Sequence, residues 1–470
     1  MGIKEILFQP KISHKDIDRV NLGELRFQGN TYKIKKAQIV DLNFLNRLKS
    51  EADRDFYKEY EGKLISLGIE NENDFIKIEF LENRLKKNSL EKEYEIIKHL
   101  NKHKCVSVPD LNEFGEFDLE NIQIESEIFS ESLIYTLKRK PFYLSLQKLS
   151  HSTKGYFISD LLIAIIEQGK SGVIQNDFKK ENIFFIDDTF IKIIDYDQAE
   201  IDLNFKKLNS KEIVDKSIEM DLKSYKVHSK GWLRHFSFIN YKLHIKKLFD
   251  EKGRFNLLKT SLYQNQFSTN TKNMSYHTYH GDNLFVKGIR DLGQREKILS
   301  SIEFKKDESV LDIGSNIGLV TQYIKNRGCD ASGYEIDFKA HICSRFISNI
   351  DSFDIDFVCI DLDSTPKLKS FDTILLFSVI HHTKNLKGNC IKISNSCKRI
   401  IVECRLKEDG KKPIKAKNSM IWTPTSSWNF SNTNELYSYL EGLFPNHDFY
   451  KNHGKCDKSR YILELRKKED

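Results

Sequence analysis

The sequence predicts an α/β chain in two parts. A doubly wound strand–helix alternation fills roughly the last two-fifths, and an α+β region of two lobes precedes it. Three observations carry this. Residues 309–328, SVLDIGSNIGLVTQYIKNRG, read as a short buried strand, a glycine turn and an amphipathic helix. Further apolar strand patterns follow at 331–335, 357–360 and 371–377, spaced widely enough for helices between them. Before residue 250, strand patterns come first and helical ones later, and 470 residues is too long for one core of ordinary size.

Taken in order, residues 20–40 alternate apolar and polar around Gly29-Asn30, a hairpin signal. Residues 41–60 read as helical or mixed, and 63–68 and 74–80 as two more strands. In LEKEYEIIKHL, Leu90, Tyr94, Ile97 and Leu100 share one face of a helix. A strand pattern at 121–129 and a strongly apolar helix at 157–167 complete the first region. The expected domains are 1–250, a connecting or cap segment over 251–290, and 291–470.

Hydrophobic residues make up 39% and charged residues 30%, which fits a globular protein with a well-charged surface. A net charge of +7 suits anionic substrates or a membrane surface and argues against a dedicated nucleic-acid binder. The eight cysteines form no CxxC pair; buried, reduced thiols on strands, Cys359 and Cys404 among them, are expected. Residues 1–16 lack the apolar core of a signal peptide, and no apolar run could span a bilayer. A cytoplasmic protein is expected, with peripheral contact at the inner membrane face left open. Trp232, Phe236, Ile239 and Leu243 line one helical face beside Arg234, Lys242, Lys246 and Lys247, which suits a core stripe better than a membrane surface.

Within 309–328, Gly314, Ser315, Asn316 and Gly318 form a turn that lets a ligand approach the backbone and exposes the N–H groups of a helix start. Asp312, ending the strand, can bind a cationic amino group. Glu335, ending the next, suits a ribose diol, and Asp361 is placed to meet an adenine amino group. With the buried strand FDTILLF running into SVIHHTKN, these features resemble class I S-adenosylmethionine-dependent methyltransferases. The resemblance implies a Rossmann-like fold and S-adenosylmethionine as cofactor. It makes His382 the candidate base for a hydroxyl acceptor, with His381 as the alternative. Arg290 and Arg295, in the segment before the core, could instead position a phosphate acceptor.

The first region carries GVIQNDFKKENIFF and then IKIIDYDQAE. Asp177 and Asn182 have the spacing of a catalytic acid and a metal ligand, and Asp195 follows a short strand. Upstream, Lys77 sits on a strand and Glu93 on the next helix. This order resembles protein-kinase-like phosphotransferases of the small-molecule and sugar kinase type, over roughly residues 20–250. The resemblance implies ATP and Mg2+, with Asp177 and Lys77 catalytic and Asn182 and Asp195 on the metal. The departures are Gln175-Asn176 in place of His-Arg, Asp195-Tyr196-Asp197 in place of Asp-Phe-Gly, and no glycine-rich loop beyond Gly62 and Gly68.

The pairing resembles, in domain content, the bifunctional enzymes that cap bacterial O-antigen polysaccharides by phosphorylating a terminal sugar and methylating the phosphate. The domain order is reversed here, and that family's long C-terminal coiled coil has no counterpart. The expected acceptor is a glycan or a small molecule. The alternative is a methyltransferase joined to a catalytically dead kinase-like binding module, for example one acting on RNA.

Overall fold

A computed structural model describes residues 7–8, 23–40, 45–46, 51–81, 90–125, 131–134, 140–150, 156–176, 178, 182–225, 245–263, 275–379, 382–405, 433–457 and 460–469. The chain divides into two compact units, Met1–Ser261 and Leu262–Asp470.

In the first unit, strands β1 (Glu24–Phe27), β2 (Asn30–Ile39), β3 (Leu64–Glu70), β4 (Asp74–Glu79), β5 (Leu111–Glu116), β6 (Ile122–Glu125) and β7 (Phe142–Gln147) form one antiparallel sheet. Its order is β5-β7-β4-β3-β2-β1-β6. The β1–β2 hairpin closes on Gln28 (φ 49°) and Gly29 (φ 81°), two positive φ values in succession, as a tight hairpin twist requires. Burial alternates along β1, so Leu25 and Phe27 join Tyr32, Ile34, Ile76 and Tyr143 in the core.

Helix α1 (Glu51–Lys58) stands between β2 and β3, and α2 (Leu90–Lys102) follows β4. Leu90, Ile97 and Leu100 of α2 are buried as the sequence predicts, but Tyr94 is only half-buried and Glu93 and Ile96 are buried with them. The helical lobe is built on α3 (Ile158–Lys170), α4 (Ser210–Tyr225) and the antiparallel pair β8 (Ile183–Ile186) and β9 (Phe190–Ile193). Helix α3 is buried nearly all round, and its acids are satisfied locally. Glu167 accepts from the Val106 and Ser107 N–H groups, each at 2.9 Å, and Asp160 from the Ser261 N–H at 2.7 Å.

The second unit holds a seven-stranded sheet of β10 (Ser309–Ile313), β11 (Asp330–Glu335), β12 (Asp356–Cys359), β13 (Phe371–Phe377), β14 (Cys397–Arg405), β15 (His447–Asp457) and β16 (Arg460–Lys467). The order is β12-β11-β10-β13-β14-β16-β15, parallel through β14 and antiparallel for the last two. Helices α5 (Gly293–Ser301), α6 (Leu319–Asn326), α7 (Phe338–Ile350), α8 (Leu386–Ser394) and α9 (Thr433–Leu443) accompany it. Two apolar clusters, one around Ile374, Leu376 and Leu440 and one around Val310, Ile324 and Leu375, form its core. Strand order reverses beside β10, which opens a crevice at the carboxyl ends of β10 and β13.

One expectation, that for Cys359, needs correction. The strand expected over 121–129 is described over Ile122–Glu125, Asn121 ends a short 3-10 turn before it, and 126–129 lie outside the described residues. Cys359 is exposed, because it ends the edge strand β12, whereas the other seven cysteines are buried as expected. The stripe from Trp232 to Leu243 lies outside the described residues. Among the described residues no helix is long and apolar enough to cross a membrane.

Candidate functional site

The crevice of the second unit is a cavity of about 460 Å³. Strand β10 delivers Asp312 to its floor. Gly314 then turns the chain at φ 73°, and a Cβ there would stand 2.0 Å from Val379 Cγ2, so only glycine fits. Asn316 follows at φ 53°, a left-handed conformation that asparagine tolerates better than most residues. The Ser315 hydroxyl and the Asn316 side-chain carbonyl are buried at the cavity wall without a hydrogen-bond partner among the described residues. Buried polar atoms left open in this way leave bonds for a ligand to complete.

Asp312 is 3% exposed and accepts from the Thr321 hydroxyl at 2.7 Å. Burial pushes its carboxyl up to about 7, helped by nearby Glu335 and opposed by Thr321 and Arg295. Glu335, at the end of β11, accepts from the Asn316 N–H at 2.8 Å and the Asp337 N–H at 2.9 Å, one bond to each oxygen. Those bonds fix the carboxylate and leave further lone pairs facing the cavity. Asp361 lines the same wall, its Oδ1 accepting from the Asp363 N–H at 2.9 Å. Gly318 does not line the cavity. It starts α6 at φ 82°, and a Cβ there would come within 2.5 Å of the Phe357 ring. His382 lines the cavity, and burial holds its imidazole below the usual range. His381 and the side chain of Arg290 lie outside the described residues.

A cationic cluster also lines the cavity, and most of it was not foreseen. Glu403, 4% exposed near the end of β14, accepts from Arg295 of α5 through both oxygens, at 2.5 and 2.9 Å. It also accepts from Arg460 of β16 at 3.0 Å and from the Ser378 hydroxyl. Burial opposes ionisation of Glu403, but the Arg295 guanidinium and its companions hold the carboxyl below its ordinary value. Ser378 sits at φ 60°, a conformation that costs a non-glycine residue about 1–2 kcal/mol. Glu403 was legible in principle, as an acid closing the apolar run RIIVE just as Asp312 and Glu335 close theirs. Arg460 carries no local signal, since only the antiparallel return of β16 brings it here.

In the first unit, Lys77 of β4 bonds to both oxygens of Glu93 on α2, at 2.8 and 2.9 Å, and to Asp195 Oδ1 at 2.9 Å. Burial alone would lower the Lys77 ammonium, but Asp195 and Glu93 hold it well above its ordinary value. Glu93 also accepts from the Tyr196 N–H at 3.2 Å. Asp195 adopts φ 65°, and Gln175 fixes its backbone by donating to its carbonyl at 3.1 Å. Asn182, 5% exposed, accepts at its own carbonyl from the Ile194 N–H at 2.9 Å, which keeps it beside that segment. Asp177 lies outside the described residues. Gly62 forms a turn before β3 at φ 78°, and Gly68 lies within β3 against the Phe75 ring.

The parallel order with an antiparallel final pair, and acids at the ends of β10 and β11, define the class I methyltransferase fold. Residues 287–411 match the family model described as a methyltransferase domain. The second unit therefore carries a class I methyltransferase domain, the fold class in which S-adenosylmethionine is the methyl donor. No curated protein matches the chain. Among solved structures, a TehB-like methyltransferase from Corynebacterium glutamicum is 13% identical, over 38% of this chain and 90% of that one, with a TM-score of 0.29. A methyltransferase from Aquifex aeolicus is 14% identical, over 37% and 89%, with a TM-score of 0.30. Magnesium protoporphyrin IX methyltransferase from Synechocystis is 12% identical, over 37% and 80%, with a TM-score of 0.28.

Proposed function

We propose that the chain is a bifunctional transferase. Its second unit methylates an acceptor with S-adenosylmethionine, and its first unit is an ATP- and Mg2+-dependent phosphotransferase acting on the same glycan or small molecule. The methyl-transfer reading rests chiefly on the cavity that gathers Asp312, Gly314, Ser315, Asn316, Glu335 and Asp361. The donor supplies an electrophilic methyl on sulfonium, so these residues have to bind, orient and exclude water. Asp312 receives the amino group, Glu335 the ribose diol and Asp361 the adenine edge, while His382 stands where an acceptor proton would leave.

The phosphotransfer reading is supported by the bridge from Lys77 to Glu93 and Asp195, residues far apart in sequence that share one ion-pair network. In it Lys77 would neutralise phosphate charge, Asp195 and Asn182 would hold the metal, and Asp177 would orient the attacking hydroxyl. A catalytically dead kinase-like binding module is the second reading, favoured by the missing glycine-rich loop. Mass spectrometry of products formed from candidate acceptors with ATP and S-adenosylmethionine, separately and together, tests both readings.

Donor binding should depend on pH through Asp312. The ionised carboxylate pairs with the ammonium, so binding below its free-state value of about 7 must release a proton. S-adenosylhomocysteine affinity should fall about tenfold between pH 8 and pH 6. In the free protein the sign reverses. A buried carboxyl with a raised pKa favours the fold while protonated, and that contribution is lost as pH rises through about 7. Asp312→Asn should flatten both profiles in calorimetry and thermal unfolding.

A further inference from the structure

We infer that Thr321 is a positioning residue of the donor site, and that its hydroxyl holds the Asp312 carboxylate ionised and oriented for the donor's ammonium. The inference rests on the methyl-transfer reading above and adds to it the residue on which its amino-acid pocket depends at neutral pH.

The observation is a hydroxyl where the helix needs none. Thr321 lies in the first turn of α6 and is 1% exposed, on the helix that gives Val320 and Ile324 to the apolar core. A valine would fill the same volume there without a polar atom to satisfy. The Thr321 hydroxyl instead donates to Asp312 Oδ2 at 2.7 Å, out of water. A bond made through Oδ2 restrains rotation of the carboxylate and leaves lone pairs on Oδ1 for an ammonium in the cavity that Asp312 lines. Thr321 itself is not part of the cavity wall, so it acts through Asp312.

The surroundings of Asp312 decide how much this bond matters. Burial drives the carboxyl up to about 7, and the Thr321 hydroxyl is the largest influence in the other direction. The Thr321 N–H, one of the unpaired donors of the first helical turn, adds to it. Glu335 of β11 opposes ionisation and Arg295 of α5 favours it. The remaining titratable groups of the wall, His277, Asp291, Asp361, Asp363, His382 and Arg460, are the same with or without this hydroxyl. A carboxyl balanced near neutrality has no reserve. Removing a hydrogen bond to its charged form leaves it protonated at pH 7, and the donor then has to expel that proton before it can pair.

The test is calorimetry on the full chain between pH 6 and pH 9 with two probes. S-adenosylhomocysteine carries the ammonium, and 5′-methylthioadenosine keeps the nucleoside but lacks the amino acid. In Thr321→Val the loss of S-adenosylhomocysteine affinity on acidification should begin about one pH unit higher than in wild type. The variant should then bind about tenfold more weakly at pH 6 and within about twofold of wild type at pH 9. The ligand's own amino group titrates identically in both proteins, so the difference reports the protein. Affinity for 5′-methylthioadenosine should be unchanged, which also shows the fold intact. Thr321→Ser, which keeps the hydroxyl, should restore the wild-type profile, and Thr321→Ala should shift it as the valine does. An unshifted S-adenosylhomocysteine profile in Thr321→Val and Thr321→Ala overturns the inference alone. Equal weakening of both probes at every pH makes Thr321 a packing residue and overturns it too. Wild-type protein that binds no S-adenosylhomocysteine removes the methyl-transfer reading itself.

Discussion

Gly314→Val is expected to abolish donor binding and methyl transfer, with S-adenosylhomocysteine affinity falling more than about 10²-fold. Two costs coincide at this position. The backbone stands at φ 73°, where a β-branched residue is strained by about 1–2 kcal/mol, and the new Cβ would begin 2.0 Å from Val379 Cγ2. Val379 lines the cavity, so displacing its side chain also disturbs the wall that meets the donor. Overpacking of this kind costs typically about 1–3 kcal/mol more, so the melting temperature should fall by several degrees. Glu335→Ala provides the milder comparison. It removes the acceptor for the ribose and the anchor of the Asn316 N–H without introducing a clash. Calorimetry that finds donor affinity unchanged in both variants would sink the assignment of this cavity.

Asp195→Ala should abolish phosphotransfer, by about 10³-fold or more, because the carboxylate proposed to hold the metal is gone. Lys77 keeps its paired bonds to Glu93, so the domain should still fold. If methylation acts on the phosphate installed by the first unit, the variant also loses methylation of an unphosphorylated acceptor. It should still methylate a chemically phosphorylated acceptor at near wild-type rate. His382→Ala should then cost less than the roughly 10²–10⁴-fold expected on losing a general base. Product analysis with and without ATP decides the matter. Methylation that runs undiminished without ATP makes the two activities independent and returns His382 to the role of base.

The sequence by itself determined what is local. The run VLDI followed by Gly-Ser-Asn announced a strand, a tight glycine turn and a helix, because apolar periodicity and glycine placement are short-range properties. The acids Asp312, Glu335 and Asp361 were legible for the same reason, each closing its own apolar strand, and the structure sets all three on one cavity wall. Lys77 and Glu93 were legible as members of a strand and a helix. Their union with Asp195 was decided by the fold, which brings β4, α2 and the segment after β9 to one point. Tertiary structure alone decided the cationic cluster of the cavity. Arg295 read equally well as a solvated helix residue, and Arg460 lies in a run near the chain end whose role depends on β16 returning antiparallel to β14. It alone also decided the part of Gly318, which packs under the Phe357 ring instead of facing the cavity, because a steric partner from another strand leaves no trace in the residues beside it.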